Sequence, residues 1–213
     1  MAHDQSQLSI PLSEKLKGIP GIFGIRLGEE PLYEVIQSIG DKEIRKYRPF
    51  ITASISVNGS FEEARKEAFF CLANYIFGKN KDKIQLKMTA PVLQEETSDY
   101  IPMTSPVLQE PTQNGWTMSF VLPLEYTLAS APTPKDKRIH LSKNQERFVA
   151  TLRYSGINDL DKIRKHSAEL IQWLSKSFIY RPVGEIQSAQ YDGPATIPFL
   201  RKNEIHLEVT KAH

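Results

Sequence analysis

A predicted helix between residues 61 and 78 carries two lines of apolar side chains, although a helix lying on a sheet needs only one. At 100° per residue, the predicted core-facing line comprises Phe61, Ala64, Ala68, Leu72, Tyr75 and Ile76. The second line lies on a different face, at positions i, i+4, i+7 and i+11, and comprises Lys66, Phe70, Ala73 and Phe77. Phe69 lies between the two lines. Because Phe70 and Phe77 would form an apolar patch in water, the second line predicts a contact with something other than solvent.

Three kinds of contact fit the second line, and the sequence leaves all three open. The line can pack beneath a loop or the N-terminal segment of the same chain, or it can form the interface of a homodimer. It can also form the wall of an apolar ligand groove, where the amine of Lys66 at the rim would pair with a carboxylate of the ligand.

A tandem repeat follows the helix. The sequence MTAPVLQE at residues 88–95 recurs as MTSPVLQE at residues 103–110. The proline in each copy blocks continuous sheet pairing, so the two copies are predicted to be edge strands or loops of a hairpin-like flap. Met88 and Met103 have adaptable thioether side chains that can line an apolar site or bind a soft metal, although core filling is the simpler explanation.

Residues typical of catalysis do not form a pattern in this chain. The motifs of zinc proteases, serine hydrolases and P-loop nucleotide-binding proteins do not occur. Cys71 lies in the apolar helix, where a thiolate is disfavoured. His140 and His206 alternate with apolar neighbours and are predicted to point away from the core. We therefore expect a protein that is not an enzyme.

Composition excludes several other classes. The 213 residues include 27 Lys and Arg against 25 Asp and Glu, a net charge of +2, and basic residues are not interleaved with aromatic ones, so no nucleic-acid partner is expected. The longest apolar run, residues 68–73, is far shorter than the roughly 20 residues of a membrane span. The single cysteine and the absence of a signal-like N-terminus predict a cytoplasmic protein.

The elements that position these residues follow from periodicity and turn signals. Residues 1–31, which contain several Pro and Gly, are predicted to be an N-terminal arm before a single domain at residues 32–213. Ser60 and Glu63 form a capping box that begins the first helix, and Asn158 is the predicted cap of a second helix over residues 159–178. Strand, helix, strand, strand occurs over residues 50–122 and again over residues 147–209. This order predicts an α+β fold of two related halves in one antiparallel sheet or open barrel, with two helices outside.

Several segments resemble the SOUL/heme-binding protein family, in order and at family-like spacing over about residues 31–210. They are YEV at 33–35, EIRKY at 43–47, YIFGKN at 75–80, KMTAPV at 87–92, MSFVLP at 118–123, YDGP at 191–194 and PFLRKNEI at 198–205. The resemblance implies a distorted antiparallel β-barrel of two similar strand-helix-strand-strand halves with two flanking helices. It also implies noncovalent binding of heme or a related tetrapyrrole.

The resemblance further implies where the tetrapyrrole would bind. The groove would lie beside the first helix, with Lys66 as the basic rim residue and Phe69 and Ala73 beneath the ring, at positions where family members often have methionine. Some members bind iron through a histidine in the EIRKY segment, where this chain has Lys46, whose amine must lose a proton to bind a metal. The predicted cofactor-binding residues are Lys66, Phe69, Phe70, Ala73, Phe77, Met88 and Met103.

The expected function is therefore a noncovalent carrier or buffer of heme or a related tetrapyrrole. The alternative is a small-molecule-sensing or protein-interaction module with no heme role, because the two-half architecture also resembles the effector-binding domains of multidrug regulators. In such a module, a buried and unpaired carboxylate would favour cationic ligands over an anionic porphyrin.

Overall fold

In the part of the chain that the structure describes, nine strands and two α-helices make up the fold. The computed structural model describes residues 30–86, 90, 92–97, 115–192 and 196–212. In chain order the elements are β1 (Tyr33–Ile39), β2 (Lys42–Tyr47), β3 (Phe50–Asn58), α1 (Phe61–Ile76), β4 (Val92–Thr97), β5 (Gly115–Val121), β6 (His140–Asn144), β7 (Arg147–Ser155), α2 (Leu160–Leu174), β8 (Tyr180–Gln190), a 3-10 helix (Pro198–Leu200) and β9 (Lys202–Lys211). Residues 1–29 of the predicted N-terminal arm lie outside the described residues.

All nine strands join one antiparallel sheet in the order β1-β2-β7-β9-β8-β4-β5-β3-β6. The predicted α+β class, the antiparallel sheet and the two helices are thus confirmed. The sheet ends at β1 and β6 and does not close, so the predicted barrel is not confirmed. The two strand-helix-strand-strand sets have the same order in the sheet: β5 lies between β4 and β3, and β9 lies between β7 and β8. The internal duplication itself stays a prediction.

Local signals in the sequence determine where the helices begin and end. The side chains of Ser60 and Glu63 each bond the other's backbone N–H, which confirms the predicted capping box of α1. The helix ends before Gly78, whose φ of +93° is in the left-handed region that favours glycine. Asp159 caps α2 by accepting a bond from the Lys162 N–H, so the prediction of Asn158 as the cap was wrong by one residue.

The two helices cover one face of the sheet and build its main cores. The helix α1 packs on β3 and β5, where Leu72 and Met118 belong to one buried cluster. The helix α2 packs on β7, β8 and β9, where Leu170 and Ile205 belong to a second cluster. The six residues predicted as the core-facing line of α1 are all buried. No helix in the described part of the chain is long and apolar enough to cross a membrane.

The opposite face of the sheet is also buried near its centre. Tyr47 on β2 and Val149 on β7 pack with Phe50 on β3 and Val121 on β5. Because β2 and β7 are separated from β5 and β3 by three other strands, this contact requires the sheet to curve around its helix-free face. Polar side chains near the centre of that concave face are therefore enclosed.

Candidate functional site

Two of the predicted site residues form an exposed surface on α1. The side chain of Phe70 is 43% exposed, and Lys66, one turn earlier on the same side of the helix, is also exposed. A large aromatic ring exposed on a helix beside a lysine offers an apolar contact and a positive charge to a ligand. We call Lys66 and Phe70 the α1 surface pair.

The other predicted residues of α1 lie deeper. Phe69 is half-buried and packs edge-on against Phe120, with ring centroids 5.6 Å apart. Ala73 is completely buried, and Phe77 is half-buried against the core of the α1 half. Ala73 and Phe77, which the sequence placed on one line with Phe70, therefore lie deeper than Phe70 does.

The burial at the end of α1 has a local cause. The chain turns back after the helix, so that the Leu86 N–H donates to the Ile76 carbonyl at 2.8 Å and Phe77 forms an isolated bridge with Gln85. Leu86 is itself buried in the core of the α1 half. Of the three contacts considered for the second line, packing against a loop of the same chain therefore applies at Phe77. Met88 and Met103 lie outside the described residues, so their predicted role stays a prediction.

A buried charge cluster lies on the concave face. The carboxylate of Glu204 has no exposed surface and accepts two bonds from the Arg45 guanidinium, at 2.8 and 2.9 Å. It also accepts a bond from the Tyr191 hydroxyl at 2.6 Å and contacts His206 Nε2 at 2.8 Å. The ammonium group of Lys202 lies 3.6 Å away. We call Arg45, Tyr191, Lys202, Glu204 and His206 the concave charge cluster.

Hydrogen bonds decide the charge states in this cluster. Burial alone would raise the pKa of Glu204, but bonds from His206 and Arg45 outweigh it and hold that pKa well below its usual range. Burial lowers the pKa of His206, and its bond to Glu204 offsets this only in part. His206 is therefore neutral at pH 7 and donates from Nε2, while Glu204 is ionised and paired with Arg45.

A small hollow adjoins the cluster. Tyr47, Phe50, Arg147, Val149 and His206 are among its lining residues, and it has room for about one water molecule. A tetrapyrrole or another large aromatic ligand does not fit in a space of that size. Among the described residues, the space beside the concave charge cluster is therefore filled by packed side chains.

The chain shares its sequence pattern with a known family. The sequence profile described as SOUL heme-binding protein matches residues 28–208, which is most of the chain. The chain belongs to the SOUL family. Curated relatives of this SOUL chain include heme-binding protein 2 of Homo sapiens, 28% identical over 175 residues that cover 79% of this chain and 78% of that protein. Heme-binding protein 1 of Xenopus tropicalis is 28% identical over 164 residues, covering 76% and 80% respectively.

Solved structures share the fold of this SOUL chain at low sequence identity. The C-terminal domain of EcmrR superposes with a TM-score of 0.56 at 14% identity, covering 85% of this chain and 99% of that one. A protein described as a hydrolase from Listeria innocua superposes with a TM-score of 0.55 at 11% identity, covering 82% and 94%. These likenesses establish the architecture alone.

Sequence reasoning missed the concave charge cluster of the SOUL chain. His206 was predicted at the surface, and this is wrong, because only 5% of the residue is exposed. The available signal was the alternation of Glu204, His206 and Glu208 with Ile205, Leu207 and Val209 in β9. That alternation correctly distinguishes the two faces of β9. It does not indicate that the polar face of this central strand is also buried.

The neutral state of His206 predicts a pH dependence of stability. An unfolded histidine takes up a proton as the pH falls through about 6.5, whereas the folded His206 resists protonation, so acidification favours unfolding. We expect His206→Gln, which keeps a donor for Glu204 but does not titrate, to reduce the loss of unfolding free energy between pH 7 and pH 5.5 by about 1 kcal/mol. Urea unfolding at the two pH values measures this difference.

The matched control is His140→Gln, at an exposed histidine on β6. The change in unfolding free energy between pH 7 and pH 5.5 is compared between this variant and His206→Gln. A His206→Gln protein with an unchanged pH dependence would show that His206 titrates alike in both states.

Proposed function

We propose that this SOUL-family chain binds heme or a related tetrapyrrole noncovalently, as a carrier or buffer, on the face of α1 that contains Lys66 and Phe70. The observation that carries the proposal is the exposed aromatic ring of Phe70 one turn from an exposed lysine, in a chain of this family. Relatives named heme-binding protein 1 and heme-binding protein 2 support the choice of ligand.

The chemistry of the α1 surface pair suits a flat, amphipathic anion. The ring of Phe70 can stack on the apolar face of a tetrapyrrole, and the half-buried Phe69 and Phe77 provide further apolar surface nearby. The ammonium of Lys66 can pair with a propionate at the edge of the macrocycle. We leave Ala73 out of the proposed contact because it is completely buried.

The proposed contact does not use His206 or His166 as an iron ligand. His206 is bonded to Glu204 on the concave face, and His166 stacks on Tyr154 with centroids 4.3 Å apart. The amine of Lys46 is engaged in an ion pair with Glu146 at 2.8 Å. The binding free energy would therefore come from ring contact and propionate pairing, and Met88 and Met103 remain predicted contributors.

Two further expectations belong to the same proposal. The role is one of binding, not catalysis, and the cytoplasm is its proposed location, since a single cysteine suits a reducing compartment. The alternative of a sensor for cationic ligands has less support, because the buried carboxylate of Glu204 already has Arg45 as its counter-ion.

Titration with hemin, followed at the Soret band, tests the proposal. We expect saturable binding by the wild-type chain and at least about tenfold weaker binding by Lys66→Glu/Phe70→Asp, since the double change removes an apolar contact and reverses a charge. Lys165→Glu/Ile171→Asp is the matched control, because it makes the same kinds of change at exposed positions of α2.

The possible results distinguish failure of the proposed function from failure of the assigned binding surface. A wild-type chain that leaves the hemin spectrum unchanged would contradict the proposed function. Binding that is equal in wild type and Lys66→Glu/Phe70→Asp would remove the assigned surface. Light scattering of the same proteins tests the homodimer alternative, in which the double variant would convert a dimer to a monomer.

A further inference from the structure

The turn between α2 and β8 presents apolar side chains to solvent. Phe178 is 96% exposed, and its neighbour Ile179 is 58% exposed. We call Phe178 and Ile179 the apolar tip. Single exposed apolar residues are common, but a phenylalanine with almost no protein contact beside an exposed isoleucine indicates an interaction surface.

Hydrogen bonds hold this turn in place. The hydroxyl of Ser177 accepts bonds from the N–H groups of Ile179 and Tyr180, each at 3.2 Å. The Ala212 N–H donates to the Ile179 carbonyl at 2.7 Å, which ties the turn to the end of β9. Tyr180 is buried and packs against Phe148, with centroids 6.0 Å apart. Phe178 is therefore exposed on a turn that hydrogen bonds hold in one conformation.

The charged residues closest in sequence to Phe178 and Ile179 are basic, and the nearest acidic residues on these strands, Glu185 and Glu208, lie beside Gly184. Lys176 and Arg181 flank Phe178 and Ile179, and Lys211 pairs with Tyr180 across β8 and β9. Residues 175–184 and 209–212 contain no Asp or Glu. Within the described ranges, neither Lys176 nor Arg181 takes part in an ion pair with a carboxylate. Their positive charges thus remain available to an external anion.

We propose that the apolar tip and its three cations form a docking surface for an anionic lipid bilayer. A projecting phenylalanine can insert into the boundary between headgroups and acyl chains, while lysine and arginine beside it attract anionic headgroups. A surface that is apolar at Phe178 and Ile179 and has Lys176, Arg181 and Lys211 near them matches the charge of such a membrane. This contact is independent of tetrapyrrole binding at α1.

Co-sedimentation with vesicles tests the proposal in the absence of hemin. The wild-type chain binds vesicles of phosphatidylcholine and phosphatidylserine in a two-to-one ratio more tightly than vesicles of phosphatidylcholine alone. Phe178→Ser/Ile179→Ser weakens binding to the anionic vesicles by about tenfold or more, because the inserted apolar surface is lost. Lys176→Glu/Arg181→Glu weakens it by about tenfold or more through charge reversal.

Phe199→Ser is the matched control. Phe199 is 72% exposed in the 3-10 helix, at the opposite end of the β8–β9 pair. Its basic neighbours are engaged within the protein, Arg201 with the Thr196 carbonyl and Lys202 with Glu30 and Glu204. Phe199→Ser therefore leaves vesicle binding unchanged.

Three results would overturn the proposal. The first is a wild-type chain that does not sediment with the anionic vesicles, and the second is an equal loss of binding in the Phe199→Ser control. The third is self-association of the wild-type chain that Phe178→Ser/Ile179→Ser abolishes while vesicles bind neither protein, which would assign the tip to a second copy of the chain.

Discussion

Replacing Arg45 with methionine is expected to lower the free energy of unfolding by about 3–5 kcal/mol. The guanidinium provides both of the short bonds that neutralise Glu204, whose carboxylate has no contact with solvent. Without Arg45, a buried negative charge has only Tyr191, His206 and Lys202 near it. Urea-induced unfolding at pH 7, followed by tryptophan fluorescence, measures the loss.

Two companion variants distinguish the ion pair from general damage to the sheet. Arg153→Met changes an exposed arginine directly across β7 and β9 from Glu204 and is expected to cost less than about 0.5 kcal/mol. Arg45→Met/Glu204→Gln removes both charges and keeps an acceptor for Tyr191, so it should recover much of the stability lost in the single variant. A single variant within 1 kcal/mol of wild type would contradict the assigned pairing.

Periodicity was a reliable guide wherever one face of an element meets a core built by nearby residues. The six core-facing residues of α1 were predicted from the 3.6-residue repeat and are all buried. The turn between β1 and β2 contains Gly40, whose φ of +62° is in the region that favours glycine, so the residue type and the turn agree. These signals are local, so a single sequence contains them.

The concave charge cluster depends on contacts that are distant in the sequence. Arg45 and Glu204 are 159 residues apart, and they meet because β7 places β2 and β9 on its two sides. A polar residue on the second face of a strand is normally solvated, so alternation predicted an exposed His206. Curvature of the whole sheet encloses that face, and no local pattern in β9 encodes this curvature.

The α1 surface was predicted only in part, because residues outside the helix also contact it. Helical spacing correctly placed Lys66 and Phe70 away from the core of the α1 half. The spacing could not reveal that the chain after Gly78 returns along the end of the helix, where Phe77 forms a bridge with Gln85. The returning segment, residues 78–86, therefore limits the exposure of Phe77 at the end of α1.

Asn80→Ala is expected to lower the free energy of unfolding by about 2–4 kcal/mol and to loosen the returning segment. The Asn80 amide is completely buried and donates to the carbonyls of Tyr75 at 3.1 Å and Ile84 at 2.6 Å. Its oxygen accepts the Ile84 N–H at 3.0 Å. One side chain thus ties the end of α1 to the segment that follows it. Alanine would leave these buried backbone groups without partners.

Urea unfolding measures the stability loss, and hydrogen exchange of the Leu86 amide measures the loosening, because that N–H donates to Ile76 across the same junction. Asn144→Ala is the matched control, since its half-buried amide donates one bond, to the Thr52 hydroxyl, and its loss should cost about 1 kcal/mol or less. The exchange rate of the Leu86 amide could be no higher in Asn80→Ala than in Asn144→Ala. That result would show that apolar contacts, and not Asn80, hold the returning segment. In that case the exposed surface of α1 would not depend on Asn80, and hemin affinity would be equal in both variants.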